Sequence, residues 1–188
     1  MKNEEHTPRK GFLHFYYGTG PGKTSAVIGR TIRALGWHKK PVVFQFLKKH
    51  DPTNRQGFFY GEYVTLTEML HIPVVQCGLT KFIHNESEIT AELREETAKV
   101  IKQIEETVRT DLYDLIILDE IGSAIELNLV SCAEVVQLLT TRKTAAEIMM
   151  TSHNFIPEIG DLCDYVVEMK EQKHPYQKGV LARAGIEY

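Results

Sequence analysis

A chain of 188 residues, 43% of them hydrophobic, fits one domain that buries about 70% of its unfolded surface, so neither disulfides nor a structural metal are required. A net charge of −3 with 25% charged residues excludes a strongly basic surface, and with it an electrostatic case for nucleic acid as partner. The three cysteines, Cys77, Cys132 and Cys163, form no C-x-x-C pair, which excludes a zinc knuckle and points to free thiols in a reducing compartment, the cytoplasm.

Residues 1–10 are polar and lack an apolar core, so they read as a flexible arm rather than a signal peptide or membrane span, with a single domain over residues 11–188. Phe12, Leu13, Phe15, Tyr16 and Tyr17 then make an apolar run between Gly11 and Gly18, predicting a strand buried on both faces. It leads into Gly18-Thr19-Gly20-Pro21-Gly22-Lys23-Thr24-Ser25. Beyond it, Ala26, Val27, Ile28, Ile32 and Leu35 have helical spacing, and Gly36 is placed as a C-terminal cap. Strand, glycine-rich turn and helix together predict a phosphate cradle. Glycines let the backbone aim its N–H groups inward, the helix start adds unpaired N–H groups, and Lys23 adds a cation. Thr24 can place its hydroxyl on a magnesium ion that bridges phosphates. The pattern G-x-x-x-x-G-K-[ST] asks for a glycine where this chain has Tyr17.

Residues 41–47 predict a second buried strand. Lys48 and Lys49 follow at its carboxyl end, where ligands collect in parallel sheets, and two readings stay open: ligand contacts or solvated loop charges. Residues 50–70 read as a loop whose Gly57-Phe58-Phe59-Tyr60-Gly61 either lines a pocket or anchors the loop to the core. Residues 72–77 predict a short strand, with Pro73 suggesting its start or an edge. A helix is expected over residues 85–109, opened by the capping-box spacing of Asn85 and Glu88.

Leu115-Ile116-Ile117-Leu118 ends abruptly in Asp119-Glu120, the pattern of a central strand delivering acid at its carboxyl end. Placed beside the first strand, either carboxylate would approach a magnesium ion held by Thr24. Ser131-x-x-Glu134 opens another helix, and residues 147–151 and 164–169 predict the remaining strands. The alternation predicts an α/β fold: a P-loop NTPase-like, mostly parallel sheet with helices on both faces.

The phosphate loop from Gly18 to Ser25, Arg33 in the helix after it, the strand over residues 42–46, Leu118-Asp119-Glu120, and a distinctive tail together resemble the ATP:corrinoid adenosyltransferases of the CobA/BtuR/CobO type. The tail reads Glu168-Met169-Lys170-x-x-Lys173-His174, then Lys178-Gly179-Val180-x-Ala182-Arg183-x-Gly185-Ile186-Glu187-Tyr188. The resemblance implies transfer of the 5′-deoxyadenosyl group of ATP to a reduced Co(I) corrinoid with release of triphosphate. It also implies a homodimer and a reductase partner supplying Co(I). By the same resemblance, Lys23 and Thr24 contact phosphate and magnesium, Glu120 is the magnesium-side acid with Asp119 beside it, and Arg33 is a supporting contact.

Two positions depart from the family pattern. Many members have a lysine where this chain has Pro21, and Thr-Gly-Arg where it has Thr151-Ser152-His153, so an imidazole replaces a guanidinium. After the third strand, Phe82 alone matches the aromatic pair that shapes the lower corrin face in relatives. The residues alone also suit another P-loop ATPase or phosphotransferase, or an ATP- or corrinoid-binding homologue with weakened catalysis.

Overall fold

The computed structural model describes residues 10–55, 58–83 and 85–187. Residues 1–9 of the expected arm, Gly57 in the aromatic loop, His84 and the terminal Tyr188 lie outside the described residues.

The strands are β1 (Leu13–Tyr17), β2 (Pro41–Phe46), β3 (Val74–Cys77), β4 (Leu115–Asp119), β5 (Glu147–Ser152) and β6 (Tyr165–Glu168). They form one sheet in the order β3-β2-β4-β5-β1-β6, and every pairing is parallel. Parallel strands need crossovers, supplied mainly by α1 (Lys23–Leu35), α2 (Gly61–Val64), α3 (Ala91–Thr107), α4 (Ile121–Glu126), α5 (Cys132–Thr141) and α6 (Pro157–Gly160). Alternate side chains of the central strands feed two cores. Phe15, Phe44, Ile116, Leu118 and Met150 pack with residues of α3 and α5 on one face. Tyr16, Val43, Leu115, Ile117 and Met149 pack with Val27 of α1 and Leu66 on the other. The period of two along each strand makes this division.

Three local expectations are corrected. Residues 50–70 are not loop throughout: α2 continues into a π-helical turn, Thr65–Met69, which buries Leu66 under the sheet. The helix expected from residue 85 begins later. Asn85 caps only a 3-10 turn, Glu86–Glu88, then Ile89 is extended, and Thr90 caps α3 by accepting from the Leu93 N–H at 3.2 Å. Two capping residues five apart compete, and the one followed by the longer buried stripe starts the α-helix. Finally, β6 leaves all four of its residues exposed, so the helical layers do not cover this edge of the sheet. The capping box at Ser131 and Glu134 opens α5 as the spacing requires. Among the described residues, no helix is long and apolar enough to cross a membrane.

Candidate functional site

At the carboxyl edge of the sheet, the turn after β1 is stitched to the ends of its two neighbours. The Gly18 N–H donates to the His153 carbonyl at 3.1 Å, and the Gly20 N–H to the Met169 carbonyl at 2.8 Å. Gly18 has φ 121°, and a Cβ there would lie 2.3 Å from the Met169 carbonyl oxygen, so only glycine lets the turn pass this closely. Lys23 Nζ folds back to donate to the Gly18 and Gly20 carbonyls at 2.6 and 3.1 Å. The first turn of α1 has neither a capping side chain nor an acidic residue. Its N–H groups and the positive end of its dipole are therefore left for an anion, with the lysine ammonium beside them.

The second component is a buried carboxylate. Asp119, at the end of β4, is fully buried and accepts from Thr24 Oγ1 at 3.0 Å, Thr151 Oγ1 at 2.9 Å, Gln45 Nε2 at 3.2 Å and Lys48 Nζ at 2.9 Å. Lys48 Nζ also lies 3.4 Å from Glu62 Oε1 and 3.3 Å from Thr24 Oγ1. Behind Gln45, Gln76 Nε2 donates to Gln45 Oε1 at 2.9 Å, and the His50 N–H donates to Gln76 Oε1 at 2.7 Å. Buried polar atoms need partners, and this chain of amides holds the acid in one orientation.

Burial alone would lift the Asp119 carboxyl, but the Lys48 charge and the bonds from Lys48, Thr151 and Gln45 hold it below the usual carboxylate value. Burial likewise works against the Lys48 ammonium, yet Asp119 and Glu62 outweigh it and raise the lysine above its ordinary value. Acid and ammonium are thus a charged pair.

β4 does not lie beside β1, as the sequence reading had it, because β5 runs between them. The contact between Thr24 and Asp119 is made across the end of β5, whose Thr151 is small enough to fit beneath it and contributes its own hydroxyl to the acid. The acid beside Thr24 is Asp119 rather than Glu120. Glu120 adopts φ 60°, turning the chain so that consecutive side chains part: Asp119 goes to Thr24, and Glu120 goes to the first turn of α4, where Ser123 Oγ donates to it at 2.5 Å.

The other expected residues are placed as follows. Thr19, Pro21, Gly22 and Ser25 lie on the exposed side of the loop, and His153 borders it through its carbonyl with its side chain in solvent. Phe82 is exposed and packs against Phe58, ring centroids 5.1 Å apart. The structure does not bring Arg33 to the loop. It sits in the last turn of α1, about 15 Å along the axis from Lys23 at a helical rise of about 1.5 Å per residue, toward the amino edge of the sheet.

For Lys48 and Lys49 the open readings are ligand contacts or solvated loop charges, and the structure divides the pair. Lys48 enters the site, while Lys49 makes an exposed ion pair with Glu96 at 3.2 Å. Gln45, Gln76, Thr151 and Glu62 were not anticipated. The signal for Gln45 was available, since it is a lone amide inside an apolar strand. Phe59 and Tyr63 pack against His50, so the aromatic segment anchors itself locally.

A parallel sheet with a glycine turn between β1 and α1, and a buried acid facing the threonine of that turn, defines an α/β nucleotide-binding domain of the phosphate-loop kind. The profile of the family described as ATP:corrinoid adenosyltransferase BtuR/CobO/CobP matches residues 9–188, and the chain belongs to that family. The corrinoid adenosyltransferase of Escherichia coli strain K12 is 29% identical over 179 residues, covering 95% of this chain and 86% of the relative. Corrinoid adenosyltransferase CobA of Salmonella typhimurium is 28% identical over 180 residues, with 95% and 86% covered. The corrinoid adenosyltransferase of Pseudomonas aeruginosa is 27% identical over 179 residues, with 95% and 84% covered.

Proposed function

We propose that this chain transfers the 5′-deoxyadenosyl group of ATP to a reduced Co(I) corrinoid and releases triphosphate. The observation that carries the reading is the meeting of Thr24, Lys48 and Asp119 beside the uncapped start of α1, in a chain that matches its family over residues 9–188. In the reaction, the electron pair of Co(I) forms the bond to carbon 5′ and the pair of the carbon–oxygen bond departs with triphosphate. No proton moves, so the protein needs no general base. Its task is to hold carbon 5′ in line and to stabilise charge on the leaving oxygen.

The first-turn N–H groups of α1 and Lys23 are suited to that charge. Lys23 would leave the Gly18 and Gly20 carbonyls for the phosphates. Lys48 would supply a further cation, offsetting the one absent at Pro21 and the guanidinium absent at His153. Magnesium belongs to the same reading. The Thr24 hydroxyl and the Asp119 carboxylate form a hard oxygen pair that fits this ion, with Glu120 nearby in sequence. Among the described residues, no three histidine, cysteine, aspartate or glutamate side chains form a metal cage, which suits an ion held largely by phosphate and water. When bound, the metal would neutralise charge on the phosphate chain. The exposed Phe82, backed by the half-buried Phe58, is the apolar surface we assign to the lower corrin face. The reading includes a homodimer, a reductase supplying Co(I), and a cytoplasmic setting, the last supported by three free cysteines.

Incubation with ATP, magnesium and chemically reduced cobalamin tests it, followed by the absorbance change on formation of the cobalt–carbon bond. Triphosphate should appear only with the reduced corrinoid. Release of ADP or orthophosphate without corrinoid would instead identify an ATPase or phosphotransferase.

A further inference from the structure

At the amino edge of the sheet, opposite the phosphate loop, lies a second cavity of about 550 Å³. Its walls are the starts of β1, β4, β5 and β6, the last turns of α1 with Arg30 and Arg33, and Trp37 just after that helix. The volume is in the range of small-ligand sites, roughly 300–1,000 Å³.

The charges in this cavity do not balance. Its two carboxylates are already engaged: Asp114 accepts from Lys39 Nζ at 3.0 Å and the Lys40 N–H at 2.9 Å, and Glu147 accepts from His14 Nε2 at 2.7 Å. Arg30 and Arg33 stand three residues apart, and hence on one face of α1. Among the described residues neither guanidinium makes a hydrogen bond or ion pair. Trp37 is 80% exposed and Tyr165 48% exposed, with Tyr165 stacked at 4.4 Å on His14. His14 is 5% exposed, and its Nδ1 is buried with no partner among the described residues. Two guanidiniums with no protein partner and an open indole on one wall leave both positive charge and a flat apolar surface for a ligand.

We infer that this cavity is a second ligand site, for a small aromatic phosphate, with the phosphate on Arg30 and Arg33 and the ring against Trp37. Paired guanidiniums match phosphate oxygens, and the exposed indole offers a flat apolar surface for a ring. The site does not rest on the corrinoid reading and takes no part in the transfer.

The chain has one tryptophan, and it is Trp37, so intrinsic tryptophan emission reports this cavity and not the phosphate loop. Phenyl phosphate is the probe, with inorganic phosphate and phenol as the separate halves and AMP as a nucleotide. We expect a saturable emission change with phenyl phosphate or AMP that persists in Lys23→Ala and weakens by about tenfold or more in the Arg30→Gln, Arg33→Gln double variant. Inorganic phosphate or phenol alone should act more weakly. Emission unaffected by millimolar phenyl phosphate and AMP would overturn the proposal, as would equal affinity in the double variant. An emission change that follows protein concentration, with dimers in sedimentation lost in the double variant, would show a self-association surface and overturn it too.

Discussion

The Lys48 ammonium lies 2.9 Å from the Asp119 carboxylate, within 3.3 Å of the Thr24 hydroxyl that the phosphate loop presents to the same acid. A resident cation therefore gives a counter-charge to a carboxylate that is otherwise held only by neutral donors. Lys48→Met removes the cation and keeps the length of the side chain. Breaking one half of such a pair should destabilise the fold by about 3 kcal/mol, read as a lower urea midpoint with an unchanged slope.

The acid limb of stability follows from the same pair. The Asp119 carboxyl is held below its unfolded value of 3.8, so its contribution is present above that pH and is lost as pH falls through the lower folded value. The urea midpoint should drop below about pH 4. Asp119→Asn should flatten that drop while lowering the neutral-pH midpoint, and an equally steep acid limb in the variant would remove Asp119 as its source.

Asp119 and Glu120 are adjacent in the chain and differ in what they touch. Asp119→Asn should reduce transfer activity and raise the magnesium concentration needed for half-maximal rate, since Asp119 is the acid bonded to Thr24. Glu120→Gln should have the smaller effect on magnesium, because its carboxylate is engaged with Ser123. A titration of rate against magnesium for both variants ranks the two acids directly.

Lys23→Ala should weaken ATP binding by about 1.5–3 kcal/mol, the worth of a charge-assisted contact to phosphate, measured by calorimetry. It also frees the Gly18 and Gly20 carbonyls that Lys23 now caps, so the thermal midpoint of the ligand-free protein should fall slightly.

His153→Arg should tighten ATP binding, since its backbone borders the loop and its side chain is free to reach an anion there. The gain should shrink as salt is raised, because an exposed charge is screened. Unchanged affinity at low salt would place position 153 outside the phosphate site.

Local patterns determined much of this protein. The apolar run before Gly18, the helical stripe after Thr24, the aliphatic strand ending in Asp119 and the capping box at Ser131 are each carried by neighbours in the chain, so they were legible from residues alone. Strand order and cross-chain contacts are not local. Only the tertiary structure placed β5 between β1 and β4, making Thr151 a ligand of the acid, and only the left-handed turn at Glu120 decided which of two consecutive carboxylates faces Thr24. Lys48 follows β2 as Lys49 does. Only the tertiary structure separates them: the Lys48 side chain reaches the buried Asp119, and Lys49 reaches the exposed Glu96. Arg33 is the converse case: the family resemblance made it a supporting contact of the site, and the rigid rise of α1 carries it to the opposite edge of the sheet.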